Sequence, residues 1–214
     1  MRRRLLILAA AAVAALLSMT ACGGAADQGP SSVTERTSGV SRSPADAQAH
    51  NSEDARFAQR MIPHHQQAVQ MSDIILGEQG IDPRVVDLAN QIKAAQGPEI
   101  QRMQTWLSQW GQPTMPTMPG SMTSAMPNQG GMPGITGMNG MMSEQDMQAL
   151  QNAQGIDASK LFLTQMIQHH QGAITMAQDE IKAGQHSPAV ALAHSIVTDQ
   201  QREINTMQGI LRTL

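Results

Sequence analysis

The sequence has little cysteine, few aromatic residues and no marked excess of charge. Its 214 residues include 1 Cys, 2 Trp, 2 Phe and no Tyr. One cysteine excludes a disulfide framework, a cysteine-rich zinc site and an iron–sulfur cluster, and so few aromatic residues argue against a β-sandwich or barrel. The 14 Lys and Arg nearly balance the 17 Asp and Glu, so we expect no nucleic-acid partner. Methionine and histidine stand out instead, with 17 and 7 residues.

The N-terminal residues have the pattern of an export signal. Arginines at positions 2–4 precede an apolar run over residues 5–17, which is too short to span a membrane. The cysteine after Thr20-Ala21 resembles the end of a bacterial lipobox, which implies that Cys22 is lipidated and becomes the mature N-terminus. We therefore predict a lipoprotein signal peptide over residues 1–21. The protein would then be extracytoplasmic and held to the bacterial cell membrane by its lipid; the alternative is an ordinary secreted protein with an incidental cysteine.

The chain contains a tandem repeat. Residues 57–71 read FAQRMIPHHQQAVQM and residues 162–176 read FLTQMIQHHQGAITM, an offset of 105 residues. The similarity continues at an offset of 104, where the pattern around Gln96 matches that around Gln200. A repeated unit of this kind is one structural module that occurs twice.

Each copy has the pattern of a helical hairpin. In the first, apolar residues keep helical spacing from about residue 52 to 78, and Asp82-Pro83 supplies an N-cap and a first-turn proline for a second helix. In the second, we expect helices from about residue 158 to 183 and from Ser187-Pro188 onward. Two hairpins with one apolar face each bury those faces most simply in an antiparallel four-helix bundle. The fold class is therefore all-α.

The predicted domain boundaries follow from this pattern. Besides the signal peptide, we predict a flexible tether over 22–51 and a bundle domain over 52–214, divided into a first hairpin (52–110), a Met-rich linker (111–147) and a second hairpin (148–214). The linker is rich in Pro and Gly, which forbid a continuous helix, so we expect it to be disordered. Its M-x-x-M spacings resemble the Met motifs of extracytoplasmic copper proteins. The alternative is that the tract merely fills space.

Three details concern the helices themselves. Pro63 would kink the first helix, and Gly97-Pro98 would interrupt the second. In the last helix we expect a heptad-like seam formed by Val190, Val197, Ile204 and Leu211 with Ala193, Gln200 and Met207.

Imidazoles and thioethers share the inward faces of the repeated helices. At spacings of three and four, the first helix places Phe57, Met61, His64, Ala68, Met71 and Ile75 on one face, and the third places Phe162, Met166, His169, Ala173 and Met176 there. Imidazole with thioether is a ligand set for Cu(I), Ag(I) or Cu(II). Met61 and His65 are close enough to share an ion, with Met103 as a further ligand. Met61 and Met71, about 15 Å apart along the helix, are not.

Acidic side chains on the neighbouring helices are placed to support such a site. Glu99 and Glu203 could each accept a ring N–H and so fix the tautomer of a histidine. The alternative is that these methionines fill the core and the histidines only hydrogen-bond to Gln or Glu. The remaining histidines, His50, His186 and His194, we interpret as structural or solvent-facing.

Two motifs carry a resemblance to a known family. M-x-x-H-H-x-x-A-x-x-M followed by Q-x-x-E-I-x-x-M resembles domain-of-unknown-function family 305, whose members include copper-binding proteins of the CopM type. The resemblance implies a ferritin-like bundle that binds copper and helps copper tolerance. The ligands it implies, copy by copy, are Met61, His64, His65, Met71 and Met103, and Met166, His169, His170, Met176 and Met207.

The leading functional hypothesis is a membrane-anchored, non-enzymatic protein that sequesters or transfers Cu(I) or Cu(II), with a copper donor or acceptor protein as its partner. Because imidazole must be neutral to bind metal, we expect His-dependent binding to weaken towards pH 5. The second hypothesis is a structural or interaction lipoprotein of the cell envelope that binds no metal. An enzyme is the third, but a di-iron oxidase would need paired E-x-x-H motifs, which the sequence lacks.

Overall fold

The computed structural model describes residues 49–114 and 139–214. The predicted signal peptide, Cys22, most of the tether and the linker from 115 to 138 lie outside these residues. Every regular element within the described ranges is an α-helix, and together they form the helical bundle that the sequence predicts. The helices are α1 (Ser52–Gly77), α2 (Pro83–Gln109), α3 (Glu144–Asn152), α4 (Gly155–Ala183) and α5 (Ser187–Leu211). None of the described helices is both long enough and apolar enough to cross a membrane.

The helix starts follow local capping chemistry. The side chain of Asn51 accepts from the first-turn N–H groups of α1 and forms a capping box with Asp54. Asp82 caps α2 as predicted. The start of α5 also lies at Ser187, but the N-cap residue is His186, one position earlier than the repeat pattern suggests.

Helix α3 is not predicted by the repeat. Ser143 opens it with a capping box, its side chain accepting from the N–H of Asp146 at 3.1 Å. Met147 and Leu150 of α3 are buried against the main bundle, as is Met142 just before it. The end of the tract assigned to the linker is therefore helical and contributes to the core.

The expected interruption of α2 at Gly97-Pro98 is wrong. α2 runs unbroken from Pro83 to Gln109, and α1 likewise continues through Pro63. A proline inside a helix costs about 3 kcal/mol, whereas each fully buried large apolar side chain contributes about 1.5–3 kcal/mol. Ile92 and Met103, one on each side of the proline, are fully buried, so packing outweighs the local penalty.

The two hairpins pack antiparallel through their first helices. α1 pairs with α2 and α4 with α5, and α1 and α4 make the main contact between the hairpins. Asn51, at the start of α1, donates to the carbonyl of Ala183 at the end of α4. At the other end, Gly80 beyond α1 lies against Gly155, the first residue of α4.

The predicted seam of α5 is buried at Ala193, Gln200, Ile204 and Met207, but its other three positions are displaced by one residue. Val190, Val197 and Leu211 are only partly buried. The buried side of α5 carries Ala189, Leu192, Ala193, Ile196, Gln200, Ile204, Met207 and Ile210. The helical repeat of 3.6 residues, rather than a strict heptad, accounts for the shift.

The apolar core is divided into two clusters. On α1, one cluster takes residues 55–62 and the other residues 68–75. α2, α4 and α5 divide in the same way, and on each of the four long helices a buried His or Gln lies between the two parts. A polar layer therefore crosses the middle of the bundle.

Candidate metal centre

The polar layer consists of the repeated histidines with their amide and acidic neighbours. His64, His65, His169 and His170 are all fully buried. Gln96 of α2 and Gln200 of α5 are 3% and 4% exposed and lie at the same level of the bundle. The His-His pairs are expected to face the interior, and both members of each pair do so. This includes His65 and His170, which the helical spacing places at the edge of the inward face.

The central contact joins the two repeats. The imidazole rings of His64 and His169 lie 3.7 Å apart between centroids, tilted by 39°. Because these residues occupy equivalent positions in the duplicated motif, the contact lies where the pseudo-twofold relation between the hairpins brings α1 against α4. Sequence spacing alone does not specify this pairing, since it depends on the register of the two hairpins.

Each of the flanking histidines, His65 and His170, is hydrogen-bonded to a carboxylate. Nε2 of His65 lies 2.8 Å from Oε2 of Glu99, and Nε2 of His170 lies 2.5 Å from Oε2 of Glu203. Each carboxylate thus lies where it can accept a ring N–H, the role predicted for Glu99 and Glu203, although the sequence does not specify which histidine each one meets. A carboxylate only accepts, so Nε2 carries the proton and donates, which leaves Nδ1 as the ring nitrogen that could bind a metal.

A turn outside the repeat completes the layer. Nε2 of His64 donates to the carbonyl of Asn139 at 3.2 Å. The backbone of Asn139-Gly140 lies so close to α4 that a Cβ on Gly172 would fall 1.9 Å from the Asn139 oxygen, and Gly140 has φ +82°. Gln67 of α1 clamps the next residues through two hydrogen bonds with the backbone of Met142, at 2.7 and 2.9 Å.

Sequence reasoning misses these contacts because they involve residues that the repeat does not share. Gly172 stands where the first copy has Gln67, and that difference in the alignment of the copies is the one signal of the asymmetry. In the first repeat Gln67 binds the backbone of this segment, whereas in the second repeat Gly172 has no side chain and leaves room for it.

The layer contains an unusual number of buried ring nitrogens without hydrogen-bond partners. Nδ1 of His64, His65 and His170 and both ring nitrogens of His169 make no hydrogen bond of normal geometry to any group in the described ranges. A buried polar group left unsatisfied costs about 1–3 kcal/mol. Imidazole lone pairs of this kind are metal ligands, so the residues present fit the soft or borderline metal ion that the sequence predicts.

Burial keeps the central imidazoles neutral. Desolvation by burial is the main cause that lowers the pKa of His64 to about 3. Desolvation by burial likewise lowers the pKa of His169 well below its usual value. Burial therefore favours the neutral form of both rings, and His64 remains neutral at pH 5 in the folded protein. The expected weakening of His-dependent metal binding towards pH 5 stays a prediction.

The six candidate methionines are buried and lie on the two sides of the layer. One cluster contains Met61, Met103 and Met176, and the other contains Met71, Met166 and Met207. Each group therefore combines two methionines from one repeat with one from the other. Met61 and Met71, which helix geometry separates, indeed belong to different groups.

Within residues 49–114 and 139–214, no three His, Asp or Glu side chains form a ready-made metal site. The thioethers beside the layer are the further soft ligands that the fold offers. Of the other histidines, predicted to be structural or solvent-facing, His194 is exposed, His50 is half-buried and His186 is buried.

The fold and the layer define a class of protein: an all-helical bundle of two repeated hairpins with imidazoles at its centre. Over residues 54–211 the chain matches the family described as "Domain of unknown function (DUF305)". The chain belongs to this family, and the resemblance carried by the two motifs is confirmed. No curated protein matches the chain.

Solved structures of the same family resemble this bundle. A Streptomyces coelicolor DUF305 protein, inferred to be secreted, is 30% identical, with a TM-score of 0.64 over 75% of this chain and 91% of that chain. A DUF305 fragment from Deinococcus radiodurans is 32% identical, with a TM-score of 0.63 over 77% and 98% of the two chains. CopM, whose structure is known in Cu(I)-bound and Cu(II)-bound forms, is 29% identical, with a TM-score of 0.58 over 75% and 96%.

Proposed function

We propose that this protein is an extracytoplasmic, membrane-anchored copper-binding protein that sequesters or transfers copper and catalyses no reaction. The observation that carries the proposal is the buried histidine layer between two methionine-bearing clusters, with five ring nitrogens that lack hydrogen bonds of normal geometry in the described part of the chain. Similarity to CopM, which has copper-bound structures, supports the choice of metal. Similarity to a protein inferred to be secreted, together with the predicted lipobox, supports the location.

The duplication suggests two copper positions, one per hairpin. In the first, Met61 lies one helical turn before His65, and Met103 lies one turn after Glu99, the carboxylate that holds His65. In the second, Met166, His170 and Met207 repeat the arrangement around Glu203. His64 and His169 lie between the two groups and are available to either. Met71 and Met176 extend the soft surface of the opposite group.

The ligand set favours Cu(I) over hard cations. Thioether sulfur binds Cu(I) and Ag(I) but not Mg²⁺ or Ca²⁺, and neutral imidazole suits copper in either oxidation state. Burial excludes water from the ligands and would stabilise a low-charge ion more than a divalent one. The carboxylates orient the flanking imidazoles by accepting their Nε2 protons.

An anaerobic titration tests the proposal. The soluble chain from residue 23 is titrated with Cu(I) against a competing chelator, beside a variant in which Met61, Met103, Met166 and Met207 are changed to Leu. Leu replaces Met with little loss of packing, about 1.5 kcal/mol or less at each position, and circular dichroism checks that the helices remain. A variant with Met142 and Met147 changed to Leu alters the same residue type in the core but none of the proposed copper ligands.

We expect tight binding by the unaltered chain and by the Met142/Met147 variant, and at least about tenfold weaker binding by the four-Leu variant, since each tenfold step is only 1.4 kcal/mol. Equal binding by all three proteins would overturn the site. If none of them competes with the chelator, the layer is packing, and an interaction lipoprotein that binds no metal is the better account.

A further inference from the structure

A second group of rings lies at one end of the bundle, away from the histidine layer. His50, just before α1, stacks on Trp110 at the end of α2, with ring centroids 4.5 Å apart and planes within 9°. The ring of His186 meets Trp110 edge-on at 5.0 Å and Trp106 at 5.3 Å. We call these four residues the end cluster.

The repeat shows that packing does not require these rings. The positions equivalent to Trp106 and Trp110 in the second copy are Ile210 and Leu214. The positions equivalent to His50 and His186 are Gly155 and Asp82. The same helix ends are therefore closed at the opposite end of the bundle without any aromatic ring or imidazole. The end cluster is a property of one end only, which calls for a separate explanation.

His186 is the least satisfied member of the end cluster. It is 4% exposed, and neither ring nitrogen makes a hydrogen bond of normal geometry within the described residues. Its backbone is fixed, because its N–H donates to Oδ1 of the buried Asp54 at 2.8 Å. Burial lowers the pKa of His186, although the backbone of Ala49 and the charge of Asp54 act in the opposite direction. The ring is therefore held in place, burial favours its neutral form, and its nitrogens make no hydrogen bond of normal geometry within the described residues.

We infer that the end cluster is a second site for a soft monovalent cation, Cu(I) or Ag(I), with the imidazoles of His50 and His186 as ligands and the indole of Trp110 beside the ion. Both imidazoles contact the same indole, so the three groups are neighbours. Imidazole nitrogen is a good ligand for these ions, and an aromatic face attracts a cation within about 6 Å. The site lies at the end of the apolar cluster that contains Met61, Met103 and Trp106. The inference does not require the histidine layer to bind metal.

The chain provides its own reporter for this site. Trp106 and Trp110 are the 2 tryptophans of the whole sequence, so tryptophan fluorescence reports on this end of the bundle, although Trp106 also belongs to the apolar cluster that contains Met61 and Met103. The soluble chain from residue 23 is titrated with Ag(I), which is not reduced or oxidised during the measurement, in a chloride-free buffer. We expect saturable quenching. Changing His186 to Phe keeps a ring of similar shape but removes the nitrogens, and it should raise the apparent Kd by about tenfold or more.

Two further variants make the test decisive. His194→Phe alters an exposed histidine of the same helix and should leave the quenching curve unchanged. The four-Leu variant of the histidine layer should also keep its quenching, even where it loses competition against the chelator. Quenching that is identical in His186→Phe and His194→Phe would overturn the end site. Quenching that disappears with the four methionines would also overturn it, because Trp106 would then be reporting on the central layer.

Discussion

His64 and His169, equivalent residues of the two repeats, face each other at the centre of the bundle with ring centroids 3.7 Å apart. Two neutral imidazoles at this distance gain little from each other in the absence of a metal. His64 still donates one hydrogen bond, to Asn139, whereas His169 donates none of normal geometry in the described part of the chain. A site kept at a cost in stability is typical of function, and this contrast leads to the first prediction.

Replacing His169 with Leu should stabilise the metal-free protein. The change removes two buried, unsatisfied nitrogens, so we expect the free energy of unfolding to rise by about 1 kcal/mol. His170→Leu is the matched control at the adjacent position. It breaks the bond to Glu203 and should lower the free energy of unfolding by about 1–2 kcal/mol. Urea denaturation without metal measures both, and a loss of stability in His169→Leu as large as in His170→Leu would contradict the account.

As the pH is lowered, the metal-free protein should begin to lose stability at a higher pH than protonation of its carboxylates alone would cause. The folded pKa of His64, about 3, lies below the ordinary value of 6.5. Between these values the unfolded chain binds a proton that the folded protein does not, so stability is lost as pH falls below about 6.5. His169 acts in the same direction. Denaturation from about pH 7 to about pH 4 should show this slope, shallower in His169→Leu but unchanged in the exposed His194→Leu; equal slopes in all three would refute the assignment.

The carboxylates of Glu99 and Glu203 should control metal affinity more than stability. Each accepts the Nε2 proton of a flanking histidine, and loss of such a partner weakens metal binding by about 10–100-fold. Glu99→Gln and Glu203→Gln should therefore bind Cu(I) that much more weakly while keeping their helical content. Glu144→Gln, on the exposed first turn of α3, serves as the control. Affinities that match this control would mean that the carboxylates do not orient ligands.

The Asn139-Gly140 turn should be sensitive to a single methyl group. In Gly172→Ala the new Cβ would meet the Asn139 oxygen at 1.9 Å. The turn must move away from α4, and overpacking of this kind costs about 1–3 kcal/mol. Gly209→Ala is the matched control inside α5, where the nearest atom is 3.8 Å away; it should stabilise the helix by about 0.5–1 kcal/mol. Thermal denaturation of both variants tests the contact, and two stabilised proteins would disprove it.

The repeat predicts most of the fold because a duplicated amphipathic pattern leaves little choice. Phe57, Met61 and Ile75 are buried as their spacing requires. The exceptions arise where tertiary packing outweighs local propensity. Pro98 leaves α2 intact because the helix buries large side chains before and after it. α3 follows a tract rich in proline and glycine, and only its contacts with α1 and α4 make its burial evident.

The histidine layer is predictable in its residues but not in its pairings. Glu99 could be assigned to an imidazole because both lie within one hairpin, where the register follows from helix lengths. The contact of His64 with His169, the role of Asn139 and the burial of His186 each depend on how one hairpin meets the other or on a segment outside the repeat. No periodicity along the chain encodes those relationships.

The most direct test of the central claim is to locate the metal. Crystals of the soluble chain grown with Cu(I) under anaerobic conditions should show anomalous scattering from copper inside the bundle. The account predicts peaks beside the imidazoles of the histidine layer, each with a thioether from Met61, Met103, Met166 or Met207 among its ligands. Copper bound only at surface residues, with no metal in the histidine layer, would contradict the account.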